Sequence, residues 1–225
     1  MKGTNKDALK YDTTFGGIVS SDGLPDPGAD YGNGYYNDHH FHYGYHVYAI
    51  AAIGKQDKEF LDNYSEEINS YVRDYANPSH KDPYFTFTRC KDWFTWHSWA
   101  AGLYEFADNR NQESSSEAIN AYYAISLLGK ALGSKEIDDF GRFLTATEIV
   151  STKAYWQMPS YNSVYPEQFR KNLMVGILWS TKVDYTTFFG GNAEFVHGIQ
   201  FLPFTPMTEE YLDTRFMNVI LNINA

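Results

Sequence analysis

The sequence predicts a mainly helical fold in which long, aromatic-rich loops join antiparallel helices. Apolar residues recur at helical spacing over several segments of the 225 residues, and helix-ending glycines or an Asn-Pro pair follow several of them. Gly-rich stretches with many aromatic residues lie between these segments. A chain of this length can bury a sizeable core, and we expect residues 1–225 to form a single domain.

Five helices are predicted from the spacing of apolar residues and from the terminating residues. Gly54 and Gly133 occupy positions of C-terminal caps, and Asn77-Pro78 should end the second helix. In the first helix, Phe41, Tyr45 and Tyr48 form the expected apolar stripe. The predicted helices span residues 38–53, 58–76, 98–106, 114–132 and 135–155.

Two regions are predicted to be irregular. Residues 11–37 have the Gly-rich composition of one long loop, and their aromatic residues favour a binding surface over disorder. Residues 174–189 mix β-branched and aromatic residues with glycines, which predicts one or two short strands near the C-terminus.

Composition narrows the class of partner. The net charge of −10 argues against nucleic acid and anionic membranes, and no apolar run reaches the roughly 18 residues of a membrane span. Aromatic residues make up 18% of the chain, which suits stacking on the C–H faces of sugars but also suits a core filled with Tyr and Phe. The first seven residues lack the apolar stretch of a signal peptide, so we expect a fragment of a longer protein.

Asp38 and four histidines form the first candidate cluster. Asp38 begins a predicted helix and His42 lies one turn later on the same face, although an Asp at that position can simply be an N-cap. A zinc site is the other alternative, because His42 and His46 have ligand spacing with His39 and His40 nearby. The cluster lacks a nearby Cys and a His-Glu-x-x-His motif, so we predict no metal.

Glu113 and Glu117 form the second cluster, at the start of another helix. Ser114 and Glu117 have the spacing of a capping box, which gives Glu117 a structural alternative. Glu113 precedes the helix, where the helix dipole should keep its carboxylate ionised and suited to be a general base. Burial and nearby carboxylates should raise the pKa of Asp38, as a general acid requires. Two carboxyl sites with separated pKa values are typical of glycoside hydrolysis.

Three tryptophans, Trp93, Trp96 and Trp99, fall within seven residues. Trp rings in a cleft provide platforms for sugars, although at least one of the three is expected to be structural. Cys90 and His97 are close in sequence, but the pairing is common by chance and predicts no thiol nucleophile.

Several of these segments together carry a family resemblance. They are YDTTFGGIVS (residues 11–20), DYGNGYYNDHHFHYGYHVYA (30–49), KDWFTWHSWAAGL (91–103), NRNQESSSEAINAYYA (109–124) and KVDYTTFFGGNAEFVHGIQFLPFTP (182–206). In this order they closely resemble glycoside hydrolase family 81, the endo-β-1,3-glucanases of fungi, plants, bacteria and some viruses.

The resemblance implies a fold, a reaction and a set of site residues. The implied fold is an (α/α)6 toroid or part of one, and the implied reaction is cofactor-free hydrolysis of internal β-1,3 bonds of laminarin, curdlan or cell-wall glucan, with inversion. Asp38 would be the acid, and Glu113 and Glu117 would activate and position water, with Glu113 favoured as base. His42 would assist. The implied sugar-binding residues are Asp12, Tyr36, His97 and Tyr123, to which we add Trp93 and Trp96 as platforms.

The resemblance also implies a secreted or cell-wall-associated protein, and we expect a monomer. The chain departs from the family in two respects. Trp96 replaces the Gly that usually precedes HSWA, and family members are much longer, with a β-sandwich before the toroid. A glucan-binding fragment without activity is therefore one alternative, and a metal-dependent hydrolase that uses the histidines is another.

Overall fold

A computed structural model describes residues 6 and 8–223 of the chain, and most of its regular structure is helical. The helices are α1 (Ala29–Gly32), α2 (His39–Gln56), α3 (Lys58–Asn63), α4 (Ser65–Ala76), α5 (Ser115–Leu132), α6 (Lys135–Tyr155), α7 (Glu167–Arg170), α8 (Ala193–Ile199), α9 (Thr208–Tyr211) and α10 (Thr214–Ile223), with a 3-10 turn at Asn33–Tyr35. The strands are β1 (Leu9–Asp12), β2 (Gly17–Ser20), β3 (Asn111–Gln112), β4 (Ile177–Trp179) and β5 (Val183–Asp184). β1 and β2 form an antiparallel hairpin, and β3, β4 and β5 form an antiparallel sheet in that order.

The four long helices form two antiparallel hairpins. In the first hairpin, His39 at the start of α2 bonds Asp74 near the end of α4. In the second, Ser126 in α5 bonds Asp138 near the start of α6. Close approach of α2 and α5 requires Gly44, because a Cβ atom there would lie 2.6 Å from the Cα atom of Ala121.

The direction of α2 relative to α5 positions the candidate site. His40, in the first turn of α2, hydrogen-bonds Gln112 just before α5, and Tyr48 contacts Tyr123 farther along both helices. The two helices therefore run parallel, and their N-termini lie at the same end of the molecule. This arrangement brings Asp38 to the end of the fold that carries Glu113 and Glu117.

Among the described residues, two large hydrophobic cores and one small apolar cluster stabilise the fold. The larger core lies among the long helices and includes four fully buried side chains, Val47, Tyr75, Tyr122 and Leu144. The second core packs the C-terminal region around Trp156, with Met174, Val196 and Phe216 against it. The pairing of β3, which precedes α5 in sequence, with β4 of the C-terminal region connects the parts of the chain that contain the two cores.

Several predicted elements are confirmed. α5 ends at Leu132 with Gly133 in the left-handed region (φ 72°), α6 spans the predicted 135–155, and α4 ends just before Asn77-Pro78. The short strands β4 and β5 lie within residues 174–189. Among residues 6 and 8–223, none of the helices combines the length and apolar content that a membrane span requires.

Other predictions are wrong. The stretch 58–76 is two helices separated at Tyr64, and residues 11–37 contain part of the β1–β2 hairpin and α1. Gly54 lies inside α2, where a Cβ atom would be 2.5 Å from Leu61, so it permits close packing and is not a cap. Residues 98–106 are not helical because Trp99 and Ala100 donate their backbone N–H groups to Cys90 and Asn111 instead.

Candidate active site

Asp38 stands at the start of α2 with its carboxyl group free of capping. Its backbone is in the left-handed region (φ 59°, ψ 13°), and the side chain accepts no capping hydrogen bond. The Asp38 N–H donates to the carbonyl of Ala100 (2.9 Å), and the Asn37 side-chain oxygen accepts from the Gly102 N–H (2.9 Å). The N-cap alternative therefore describes the position of Asp38 and not the function of its carboxyl group.

The surroundings of Asp38 favour the protonated form of its carboxyl group. Burial, followed by the charges of Glu117 and Glu113, raises the pKa of Asp38 to about 7, against a smaller lowering effect of His39. This direction agrees with the sequence-based expectation. A carboxyl group that titrates near neutral pH can donate a proton at physiological pH.

His39, the residue after Asp38, forms a buried pair with Asp74. His39 Nδ1 is 2.6 Å from the carboxylate of Asp74, and both side chains are 0% exposed. His39 Nε2 is 2.9 Å from the carbonyl oxygen of Asn33. Both ring nitrogens therefore lie within hydrogen-bond distance of an oxygen atom, which fixes the orientation of the ring. Asp74 also accepts from the Ile18 N–H (2.9 Å), which joins β2, α4 and the start of α2.

Glu117 lies in the first turn of α5. Ser114 Oγ accepts from the Glu117 N–H (3.2 Å), while the Glu117 carboxylate accepts a hydrogen bond from the Tyr45 hydroxyl (2.9 Å). Burial raises the pKa of Glu117, although the Tyr45 and Ser114 hydroxyls lower it in part. The Ser114 cap is therefore present, and the Glu117 carboxylate faces Tyr45 of α2.

Glu113 is anchored by the C-terminal region. Its Oε1 atom accepts from the Phe188 N–H (2.7 Å), and its backbone carbonyl accepts from the Gln200 side chain (2.6 Å). Burial raises the pKa of Glu113, the Phe188 N–H lowers it, and Glu117 raises it. The pKa of Glu113 is thus shifted upward, opposite to the direction expected from the helix dipole, and burial is the largest cause.

His42 lies one turn after Asp38 and is partly buried. Burial lowers the pKa of His42, and the charge of His39 lowers it further, so the ring is neutral near pH 7. His42 and Tyr45 line a cavity of about 930 Å³ along α2. Among the described residues, no group of three or more His, Cys, Asp or Glu side chains could hold a metal ion.

Asp12 and Tyr36 bond to each other near the same loops. The Tyr36 hydroxyl donates to Asp12 (2.8 Å), and the Arg89 guanidinium lies 4.3 Å from the centre of the Tyr36 ring. Tyr36 is 3% exposed and lines a small cavity of about 160 Å³. Burial raises the pKa of Asp12, but hydrogen bonds from Thr14 and Tyr36 outweigh that effect and lower it overall.

The remaining predicted residues differ in exposure. Trp93 and Trp96 are 38% and 48% exposed, whereas Trp99 is buried. Tyr123 is partly buried, with its ring 6.2 Å from that of Tyr48.

His97 is the predicted sugar-binding residue that the structure corrects. It is 1% exposed, and its ring packs edge-on against Trp99 and Trp156. A side chain enclosed in this way offers no surface to a sugar, so its contacts are structural. Cys90 is also buried, and burial raises the pKa of its thiol to about 12, which suits an inert side chain and not a nucleophile.

Tyr45 and several aromatic side chains near Glu113 were not predicted as part of the site. Tyr45 matched the apolar stripe of the first helix, but it is 41% exposed and bonds Glu117. Phe188 lies 75 residues from Glu113 in sequence, and only the fold brings its N–H to the carboxylate. The density of aromatic residues was the one available signal for these side chains, and it does not identify positions.

Comparison with known proteins places this arrangement in a family. Residues 1–220 match the model of the glycosyl hydrolase family 81 C-terminal domain. A glucan endo-1,3-beta-D-glucosidase of Arthroderma benhamiae is 41% identical over 200 residues, which are 88% of this chain and 22% of that protein. The Glycine max protein of the same name is 42% identical over 204 residues, which are 88% of this chain and 30% of that protein.

A solved structure agrees with the sequence matches. A glycoside hydrolase family 81 protein from Clostridium thermocellum superposes with a TM-score of 0.83 at 34% identity, covering 94% of this chain and 29% of that chain. The chain thus spans between about a fifth and a third of the length of these relatives. On the match of nearly its whole length to the C-terminal domain, the chain belongs to glycoside hydrolase family 81.

Proposed function

We propose that this chain carries the acid–base residues of an endo-acting hydrolase of internal β-1,3-glucosidic bonds. The observation that carries the proposal is the meeting of three carboxyl groups at the N-termini of two parallel helices. Asp38 has a pKa of about 7 there because burial and the two glutamates raise it. The names of the relatives, glucan endo-1,3-beta-D-glucosidases, supply the substrate class.

The proposed mechanism assigns opposite roles to the two sides of the site. Protonated Asp38 donates its proton to the leaving glycosidic oxygen. Glu113 removes a proton from a water molecule on the opposite face of the sugar, and Glu117, oriented by Tyr45, positions that water. Inversion follows from direct attack by water, and it requires that the acid and base carboxyl groups lie about 6.5–9.5 Å apart.

The remaining predicted residues act on substrate in this proposal. Neutral His42, one turn from Asp38, donates a hydrogen bond to a sugar hydroxyl beside the general acid. Asp12 and Tyr123 contact sugar hydroxyls, buried Tyr36 supports binding by orienting Asp12 through its hydroxyl, and the exposed Trp93 and Trp96 are platforms. The two helical hairpins with parallel first helices are units of an (α/α) toroid, and the protein acts as a monomer without a cofactor.

The experiment that tests the proposal follows the anomer formed first. The full chain is incubated with linear β-1,3-glucan, and new reducing ends are observed by proton NMR within minutes. We expect the α-anomer, since inversion of a β-bond produces it. Initial formation of the β-anomer would overturn inversion, and a Glu113→Gln chain that still hydrolyses glucan would overturn the assigned base.

A non-catalytic glucan-binding function is the second candidate. The observation that favours it is that the chain spans only 22% and 30% of two relatives that bear the enzyme name. Binding of β-1,3-linked oligosaccharides without release of reducing ends would identify this function and exclude hydrolysis by the chain alone.

A further inference from the structure

Five aromatic rings form a continuous row beside the candidate active site. We call Tyr35, Tyr104, Phe106, Trp179 and Phe188 the aromatic row. The centre-to-centre distances along it are 5.3 Å from Tyr35 to Tyr104, 4.7 Å from Tyr104 to Phe106, 5.8 Å from Phe106 to Trp179 and 5.9 Å from Trp179 to Phe188. Each of these contacts is edge-to-face, and Phe188 also lies 6.3 Å from Phe106, so the last three rings form a triangle. The rings come from segments far apart in sequence, so the row is a product of the fold.

The aromatic row lies at the surface. Tyr104 is 49% exposed and Phe188 is 57% exposed, and the other three rings are partly buried. None of the five rings belongs to the two large hydrophobic cores. Exposed aromatic rings in contact with one another expose apolar area that folding has not removed from water, which is typical of a binding surface.

The row connects the two sides of the candidate active site. At one end, the Tyr35 carbonyl accepts from the Leu103 N–H (2.6 Å), within the loop whose Ala100 carbonyl anchors Asp38. At the other end, Phe188 donates its N–H to Glu113 (2.7 Å). The rings therefore run from the loop that anchors the general acid to the residue that binds the base.

Polar groups border the row at Trp179. Its ring N–H donates to the carboxylate of Asp184 (2.9 Å), and Lys182 bridges Asp184 (3.2 Å) and Asp108 (2.8 Å). The Lys182 ammonium also lies 5.6 Å from the centre of the Trp179 ring. Apolar ring faces with charged hydrogen-bonding groups at the edge match a pyranose, which has C–H faces and a rim of hydroxyl groups.

We propose that the aromatic row is a platform that binds consecutive glucose units of a β-1,3-glucan and holds the chain across Asp38 and Glu113. This inference rests on the proposed function, since it names the substrate-binding surface of the same site. The occupant is a neutral sugar chain because the apolar rings meet the carboxyl groups of the site, where an anionic ligand would be repelled.

The test measures binding separately from hydrolysis. A linear β-1,3-linked glucose hexamer is titrated by calorimetry into the Asp38→Asn chain, in which hydrolysis is suppressed. Tyr104→Ala and Phe188→Ala are each added to this background, and Phe188→Ala leaves the backbone N–H to Glu113 in place. We expect each to weaken binding about tenfold, and Tyr104→Phe, which keeps the ring, to bind as the parent does.

Tyr161→Ala is the matched control. Tyr161 is 53% exposed, close to the value of Tyr104, and contacts Arg215 away from the row. Unchanged affinity for Tyr161→Ala, together with the two losses, supports the platform. Parent-like affinity of both Tyr104→Ala and Phe188→Ala overturns it while the proposed function stands. Absence of binding and hydrolysis by the parent chain overturns both.

Discussion

Two helices begin at the candidate active site in different ways. α5 begins at Ser114, which has extended backbone angles (φ −96°, ψ 103°) and accepts the Glu117 N–H on its hydroxyl. α2 begins at Asp38, which is in the left-handed region and makes no side-chain capping bond. One start thus has the usual stabilising cap, and the other leaves a carboxyl group free for another purpose.

The difference shows how an unfavourable helix start is maintained. A left-handed conformation at a residue with a side chain costs about 1–2 kcal/mol, and such residues persist only where the surroundings fix them. Around Asp38, the backbone bond to Ala100 and the anchored ring of His39 provide that fixation. Backbone strain is therefore found at the helix start that carries Asp38, the proposed acid, and is absent from the start that carries the two glutamates.

The largest expected effect comes from removing the carboxyl group of Asp38, the proposed general acid. Asp38→Asn should reduce hydrolysis of β-1,3-glucan by about 10²–10⁴-fold, because an amide cannot donate the proton, while Asn tolerates the left-handed backbone. Release of reducing ends measures activity, and near-UV circular dichroism checks the fold. Asp57→Asn is the control, since Asp57 caps α3 in the ordinary way. An active Asp38→Asn chain would remove Asp38 from the mechanism.

The next effect comes from removing Asp74, the buried partner of His39 next to Asp38. Asp74→Asn should lower the free energy of unfolding by about 1–3 kcal/mol, because it removes the carboxylate that lies 2.6 Å from the fully buried His39 ring. Urea denaturation measures the change. Asp139→Asn, which removes the partner of exposed Lys135 in a surface pair, should change stability by less than about 1 kcal/mol. Equal effects of the two variants would show that the buried pair does not support the start of α2.

The charge of Glu117 at the start of α5 should affect the pKa of Asp38 at the start of α2. Glu117→Gln should lower the pKa of Asp38 from its value of about 7, because a negative neighbour that disfavours the Asp38 carboxylate is removed. The fall should be on the order of one unit, followed by NMR titration of carbonyl-labelled aspartate. Glu66→Gln, at the far end of α4, should leave the titration unchanged. A pKa that stays constant in Glu117→Gln would mean that the charge of Glu117 does not contribute to raising it.

The same titration predicts the pH dependence of activity. Because the general acid must be protonated, activity should fall as the pH rises through about 7.

The last two variants compare the two helix starts directly. Ser114→Ala should lower the free energy of unfolding by about 1 kcal/mol through loss of the cap. Asp38→Gly should raise it at pH 8, because Gly accepts a positive φ and the buried carboxylate is gone. The pKa of Asp38 is higher in the folded chain, so this carboxyl group reduces stability increasingly as the pH rises from about 4 to 7. Urea denaturation at pH 4 and pH 8 measures the stability of both variants. An increase in stability of Asp38→Gly that is equal at the two pH values would contradict the destabilising effect of the buried carboxylate.

The sequence by itself determined the elements with strong local signals, and its motifs selected the residues of the proposed acid–base site. Ser114 and Gly133 enclose α5 as predicted, α6 matches its predicted bounds, and Asn77-Pro78 follows α4. Capping, positive φ and the missing N–H of proline act within a few residues, so they can be predicted from a single sequence. The resemblance of the motifs to the family selected Asp38, Glu113 and Glu117 for the same reason, since each motif is contiguous.

The tertiary structure alone decided which side chains meet. It buried His97, exposed Tyr45 toward Glu117, and assembled the aromatic row from distant loops. It also left residues 98–106 without a helix, since their backbone groups bond to Cys90 and Asn111. Helical periodicity reports only the spacing of apolar residues along one segment. Whether a side chain faces a core, a carboxylate or water depends on partners that may be 70 or more residues away, as the 75 residues between Glu113 and Phe188 illustrate.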